Sequence, residues 1–86
     1  MQGFYSSEDL NGLELSRLGK NVLISKVTSL YKPDQISIGN HVRIDDFCVL
    51  SGKIIIGDHV HIGAGCIMYG GSEGIFLEDF VGVSSK

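Results

Sequence analysis

The chain has 86 residues, a formal net charge of −3, 43% hydrophobic residues and 20% charged residues. That balance excludes a disordered tail and leaves no basic footprint for nucleic acid, and no apolar run approaches the roughly 20 residues that span a bilayer. A domain this short buries only roughly 60–65% of the surface its unfolded form exposes, so a lone core is marginal and self-association is expected.

Residues 1–8 carry neither a basic stretch nor an apolar core, which predicts no secretory signal. Two cysteines are too few for a disulfide scaffold, and a cytoplasmic setting is the expectation. Residues 4–15 are the single helix candidate. Ser6 or Ser7 can cap it, Glu8 and Asp9 suit its positive end, and Leu10 and Leu13 share a face. The expected role of residues 1–17 is a helical cap over the open strand edge at the start of the remaining chain.

From residue 18 to residue 86 the chain repeats. Ile38, Ile44, Leu50, Ile56, Ile62 and Met68 stand at an unbroken spacing of six, and each opens a hexad. Leu18, Ile24 and Leu30 extend the register upstream, Leu77 and Val83 downstream. The residue four places after a start is also apolar or small: Val22, Thr28, Val42, Cys48, Ile54, Val60, Cys66 and Val81. A position i+4 followed by the next start is strand alternation, so each hexad reads as a short strand and a turn. Glycine often follows a start, as at Gly19, Gly39, Gly57 and Gly63, where a positive φ is expected.

Three such hexads close one coil. The first coil covers residues 18–37, with two extra residues near Pro33, Asp34 and Gln35. The second covers 38–55 without insertion. The third covers 56–76, with three extra residues around 70–74, a stretch too glycine-rich for strand that is expected to bulge from a corner. The last coil opens at Leu77 and is incomplete, which gives about three and a half coils. Residues 18 apart then stack, or 20 and 21 apart across the insertions. Val22, Val42, Val60 and Val81 form one inward column, Ile24, Ile44, Ile62 and Val83 another, Leu30, Leu50 and Met68 a third. Cys48 and Cys66 stack inside as free thiols.

This repeat resembles that of the hexapeptide-repeat acyltransferases, whose fold is a left-handed parallel β-helix. The likeness covers about residues 18–86. It is closest to bacterial sugar and amino-sugar acetyltransferases of surface-polysaccharide synthesis in two stretches. One is Val42-Arg43-Ile44-Asp45-Asp46-Phe47-Cys48-Val49-Leu50-Ser51-Gly52; the other is Asp79-Phe80-Val81-Gly82-Val83-Ser84-Ser85. The resemblance implies an all-β chain that moves an acetyl group from acetyl-CoA to a sugar or nucleotide-sugar hydroxyl or amine. It also implies a homotrimer or stacked trimers, with active sites between neighbouring chains.

His61 points outward above Arg43 and is the candidate general base, since a neutral imidazole can take the acceptor's proton near pH 7. A surface or interface role is its alternative. Asp45 and Asp46 either cap a turn or, by the resemblance, orient the acceptor or the base. Arg43 can pair with either acid or with phosphate. Asp46 joins His61 as a candidate catalytic residue, and Arg43 and Asp45 are candidate substrate ligands. The residues that would hold CoA are not identifiable.

His41 and His59 stack on the outside between Asn21 and Phe80, without a third ligand that would suggest a metal. The spacing of His41, His59 and His61 does not fit the histidine triad of metal-dependent hydratases with the same repeat. In galactoside-type relatives a loop comparable to residues 70–74 carries the catalytic histidine; here it offers Glu73. A catalytically incomplete β-helix that serves only as a structural or oligomerisation module is therefore the rival reading.

Overall fold

Residues 18 to 21 apart pair as parallel strands, which turns the six-residue repeat into a coil. The computed structural model describes residues 3–84; Ser85, at the end of the stretch from Asp79, lies outside them. In chain order the elements are α1 (Ser7–Asn11), β1 (Arg17–Leu18), β2 (Leu23–Ile24), β3 (Ser29–Tyr31), a 3-10 turn (Pro33–Gln35), β4 (Ile36–Ile38), β5 (Arg43–Ile44), β6 (Val49–Ile56), β7 (His61–Ile62), β8 (Ile67–Leu77) and β9 (Gly82–Val83). β2, β5, β7 and β9 make one face of a prism. β6 and β8 pair with each other around a corner: the first half of β6 also pairs with β3 on the second face, and its second half with β4, which pairs with β1, on the third. The result is a left-handed parallel β-helix of about three turns with one short helix.

The inward columns are those expected. Ile24, Ile44 and Ile62 are 0% exposed, as are Leu50 and Ile54. Leu30, Leu77, Val81 and Val83 are half-buried and pack against this core. Each buried aliphatic side chain contributes about 1.5–3 kcal/mol, and stacking like on like lets one shape fill every layer. Both insertions fall at one corner. Between Tyr31↔Ser51 and Ile36↔Ile54 the first coil holds the two extra residues as the 3-10 turn.

Three expectations need correction. The helix is Ser7–Asn11, not residues 4–15. Ser6 caps it by accepting from the Asp9 N–H at 3.2 Å, and Asn11-Gly12 ends it. Phe4 instead bridges antiparallel to Ser25, and the Tyr5 N–H donates to the Ile24 carbonyl at 3.0 Å. The first coil's edge is thus covered by extended backbone as well as helix.

Second, residues 70–74 do bulge at the corner, but they remain within strand β8: Gly71 pairs with Gly52, and the three extra residues appear as register shifts between Ser51 and Gly52 and between Gly52 and Ile54. Gly70 permits this, because a Cβ there would collide with the Lys53 carbonyl.

Third, the glycines after each start do not take positive φ. After Gly19, Gly39 and Gly57 that conformation falls two residues later, at Asn21, His41 and His59, and Phe80 takes it at the matching place after Glu78, with φ between 57° and 65°. The glycines are needed for close approach: a Cβ on Gly39 would stand 2.5 Å from both the Gly57 carbonyl oxygen and Asp58 Oδ1.

Candidate functional site

The residues after Gly19, Gly39 and Gly57 are Lys20, Asn40 and Asp58; with Asp79, which follows Glu78, they form a ladder. Asn40 Oδ1 accepts from the Lys20 N–H at 2.8 Å, Asp58 Oδ1 from the Asn40 N–H at 2.8 Å, and Asp79 Oδ1 from the Asp58 N–H at 2.7 Å. Sequence reasoning missed this ladder, although the recurring Gly-Asn and Gly-Asp pairs carried its signal. Next to it the His41 and His59 rings stack at 4.7 Å, and His59 and Phe80 at 4.9 Å. The ladder and the aromatic stack lie together at the corner that precedes β5 and β7.

On the β5–β7 face Arg43 and His61 are direct register partners. Their side chains point outward because Ile44 and Ile62 point inward. Asp45 lies two residues after Arg43 and returns to the outward side; its N–H donates to the Ile62 carbonyl at 2.9 Å. The carboxylate is thereby placed between the other two. Its Oδ1 accepts from Arg43 Nε at 2.8 Å, and its Oδ2 lies 2.8 Å from His61 Nε2. Partial burial alone would raise the Asp45 pKa, but the hydrogen bonds and charges of Arg43 and His61 outweigh it and hold the carboxyl below its usual range. An ionised carboxylate only accepts, so the ring hydrogen of neutral His61 sits on Nε2, and Nδ1 keeps a lone pair.

Asp46 does not join this pair. Its Oδ1 accepts from Ser25 Oγ at 2.5 Å. Arg43, Asp45 and Asp46, with Phe4 and Ala64, line a hollow of about 220 Å3. The Arg43 guanidinium lies 5.4 Å from the centre of the Phe4 ring. The structure therefore brings His61, Asp45 and Arg43 together and sets Asp46 beside them on a separate partner. Ser25 and Phe4 were not legible as site residues. Ser25 is a turn residue two places before Val27, and Phe4 reaches the site only through the antiparallel bridge.

At the starts of β3, β6 and β8, Thr28, Cys48 and Cys66 form a buried column. Cys48 and Cys66 are free thiols, and Cys48 Sγ donates to the Gly63 carbonyl at 3.2 Å. Burial, with the neighbouring Cys48, pushes the Cys66 thiol pKa up. Among the described residues no helix is long and apolar enough to cross a membrane.

Residues 35–70 match the family model described as bacterial transferase hexapeptide (six repeats). The chain is similar to AntD, an N-acyltransferase from Bacillus cereus solved in complex with dTDP and 3-hydroxybutyryl-CoA. Identity is 55% and the TM-score 0.93, over 95% of this chain and 44% of that one. A variant of the same enzyme in complex with dTDP-4-amino-4,6-dideoxyglucose and Coenzyme A aligns with a TM-score of 0.85 and 57% identity, over 86% of this chain and 40% of that one. A dTDP-4-amino-4,6-dideoxy-D-glucose acyltransferase from Escherichia coli is 55% identical over 42 residues, which are 49% of this chain and 22% of that protein. The chain thus spans less than half the length of each of these relatives. In repeat, register and fold, this chain is a hexapeptide-repeat β-helix, similar in sequence and structure to part of these acyltransferases.

Proposed function

We propose that the chain forms the acceptor side of an acyltransferase that moves an acyl group from a CoA thioester to the amino group of a dTDP-linked amino sugar. The observation that carries this reading is the match at 55% identity and TM-score 0.93 to an N-acyltransferase solved with dTDP and an acyl-CoA. An amine acceptor is favoured over a hydroxyl because the relatives' names specify amino sugars. Acetyl is the smallest donor group consistent with the reading, and the relative's 3-hydroxybutyryl-CoA extends the range to longer acyl chains.

His61 serves as general base. The neutral amine attacks the thioester carbonyl, the N–C bond forms and the C–S bond breaks. The proton lost from nitrogen passes to His61 Nδ1, and the CoA thiolate leaves and takes up a proton. Asp45 holds the ring in the tautomer that leaves Nδ1 free, and Arg43 holds Asp45. Asp46, fixed by Ser25, is placed to accept from a sugar hydroxyl. His61 stands on an open face, its side chain 56% exposed, so a second copy of the chain in a homotrimer would supply the opposite wall.

Thiol release from acetyl-CoA and 3-hydroxybutyryl-CoA, with dTDP-4-amino-4,6-dideoxyglucose as acceptor, tests the reading. Turnover that falls at least a hundredfold in His61→Asn supports it. A folded chain with no turnover leaves the oligomerisation module as the function.

A further inference from the structure

Among the described residues the buried polar side chains are Ser25 and Thr28, 0% and 5% exposed. Both stand in the first coil between β2 and β3, one coil below the turn that carries Asp45 and Asp46. Both direct their hydroxyls at that turn. Ser25 Oγ donates to Asp46 Oδ1 at 2.5 Å. Thr28 Oγ1 donates to the Asp45 carbonyl at 2.5 Å and accepts from the Cys48 N–H at 3.1 Å. One hydroxyl therefore ties together both ends of the turn from Asp45 to Cys48.

The turn needs a hold from outside itself. Phe47 sits in it with φ of 62°, and its side chain is 70% exposed, so burial does not offset the strain. At the matching place one coil up the chain has Gly65, which takes a positive φ without that strain. The Asp45 peptide is held from both sides. Its N–H donates to the Ile62 carbonyl in the coil above at 2.9 Å, and its carbonyl accepts from Thr28 in the coil below. With both backbone groups fixed, the side chain starts from one place. Its Oδ2 then lies 2.8 Å from His61 Nε2, and its Oδ1 accepts from Arg43 Nε at 2.8 Å.

The next coil shows what packing alone asks of this position. Cys48 stacks on Thr28, and its thiol makes the corresponding bond, to the Gly63 carbonyl at 3.2 Å. A thiol is a weak donor, and it serves where the turn above is Gly63-Ala64-Gly65 and carries no acid. The stronger hydroxyl stands beneath Asp45 and Asp46. We propose that Thr28 is a positioning residue: through the Asp45 carbonyl it sets where the Asp45 carboxylate meets His61, and with it the tautomer of the ring. That the ring acts as a base rests on the acyltransferase reading; the placement of Asp45 does not.

The test compares Thr28→Val, which removes the hydroxyl and keeps the shape, with Thr28→Ser, which keeps the hydroxyl, in the full 86-residue chain. The readouts are 15N spectra of His61, 13C titration of the Asp45 carboxyl, and kcat and KM for thiol release. Partial burial raises the Asp45 pKa, but Arg43 and His61 outweigh it and hold the carboxyl below its usual range, so a displaced carboxylate titrates higher. Thr28→Val should lose the Nε2–H preference of His61, raise the Asp45 titration and lower kcat about tenfold at unchanged KM. Thr28→Ser should restore all three. A folded Thr28→Val with lower stability but parental His61 and Asp45 signals overturns the proposal, because the hydroxyl is then structural only. If Thr28→Val does not fold, Thr28→Cys takes its place with the same readouts, and parental signals there overturn the proposal equally. Altered signals with unchanged kcat uphold the placement and remove His61 from the reaction. Absence of turnover in the parent chain overturns the acyltransferase reading, and the His61 and Asp45 signals then decide the role of Thr28 by themselves.

Discussion

Asp45 Oδ2 lies 2.8 Å from His61 Nε2, although the two residues sit on successive coils and 16 positions apart in sequence. The contact exists because Arg43 and His61 are register partners and the strand period returns Asp45 to the same outward side. Replacing Asp45 by Asn keeps the shape but removes the acceptor-only oxygen that fixes the ring tautomer. We expect 15N spectra of His61 to lose the Nε2–H preference and acyl transfer to fall by about 10- to 100-fold, without a large change in KM. Stability should change by no more than about 1 kcal/mol, because the pair is largely solvent-facing.

The same carboxylate sets an acid limit. Asp45 titrates below its usual range in the fold. Its contribution to stability is therefore complete above the unfolded value of roughly pH 4 and is lost as pH falls below it. Thermal melts between pH 7 and pH 3 should show a shallower acid decline in Asp45→Asn than in the parent chain. Equal slopes would show that the pair does not couple to folding.

The ladder of Asn40, Asp58 and Asp79 should be worth more than its exposed position suggests. Asp58→Ala leaves the Asn40 N–H without its acceptor, which should cost about 1–3 kcal/mol. Gly39→Ala places a methyl group 2.5 Å from Asp58 Oδ1 and the Gly57 carbonyl oxygen, so it should destabilise by at least as much. Urea denaturation of both variants measures this. Wild-type midpoints would remove the ladder's structural role.

In the core, Ile44→Asp or Ile62→Asp should prevent folding, because both positions are 0% exposed and offer a carboxylate no partner. Cys48 and Cys66 should resist thiol reagents in the native state, being 1% and 6% exposed. Burial raises the Cys66 pKa, so the associated stability is present below the unfolded value of roughly pH 8.5 and declines above it. Rapid native labelling at pH 7 would contradict the burial.

Light scattering at micromolar concentration should give about 28 kDa, three times the 9.3 kDa of one chain, or about twice that for stacked trimers. A stable 9.3 kDa species with full β signal would mean that the prism holds its fold unaided.

The apolar positions at spacing six were enough to read the coil, its columns and the places of both insertions. Inward packing is periodic, and a period is a one-dimensional property of the chain. Outward chemistry is not. His61 and Arg43 were legible as neighbours because stacking follows from the period, yet the choice of Asp45 over Asp46 as the histidine's partner was not. Adjacent residues diverge by the local backbone turn, and it is the Asp45 N–H bond to the Ile62 carbonyl that fixes which carboxylate faces which side. The glycines after each start were visible in the sequence, but their reason was not. They answer to an Asn or Asp side chain one coil away, a distance of 18 or more residues along the chain that only the stacked backbone makes short. The insertion corner has the same origin: two unrelated detours come to share it only when the coils stack.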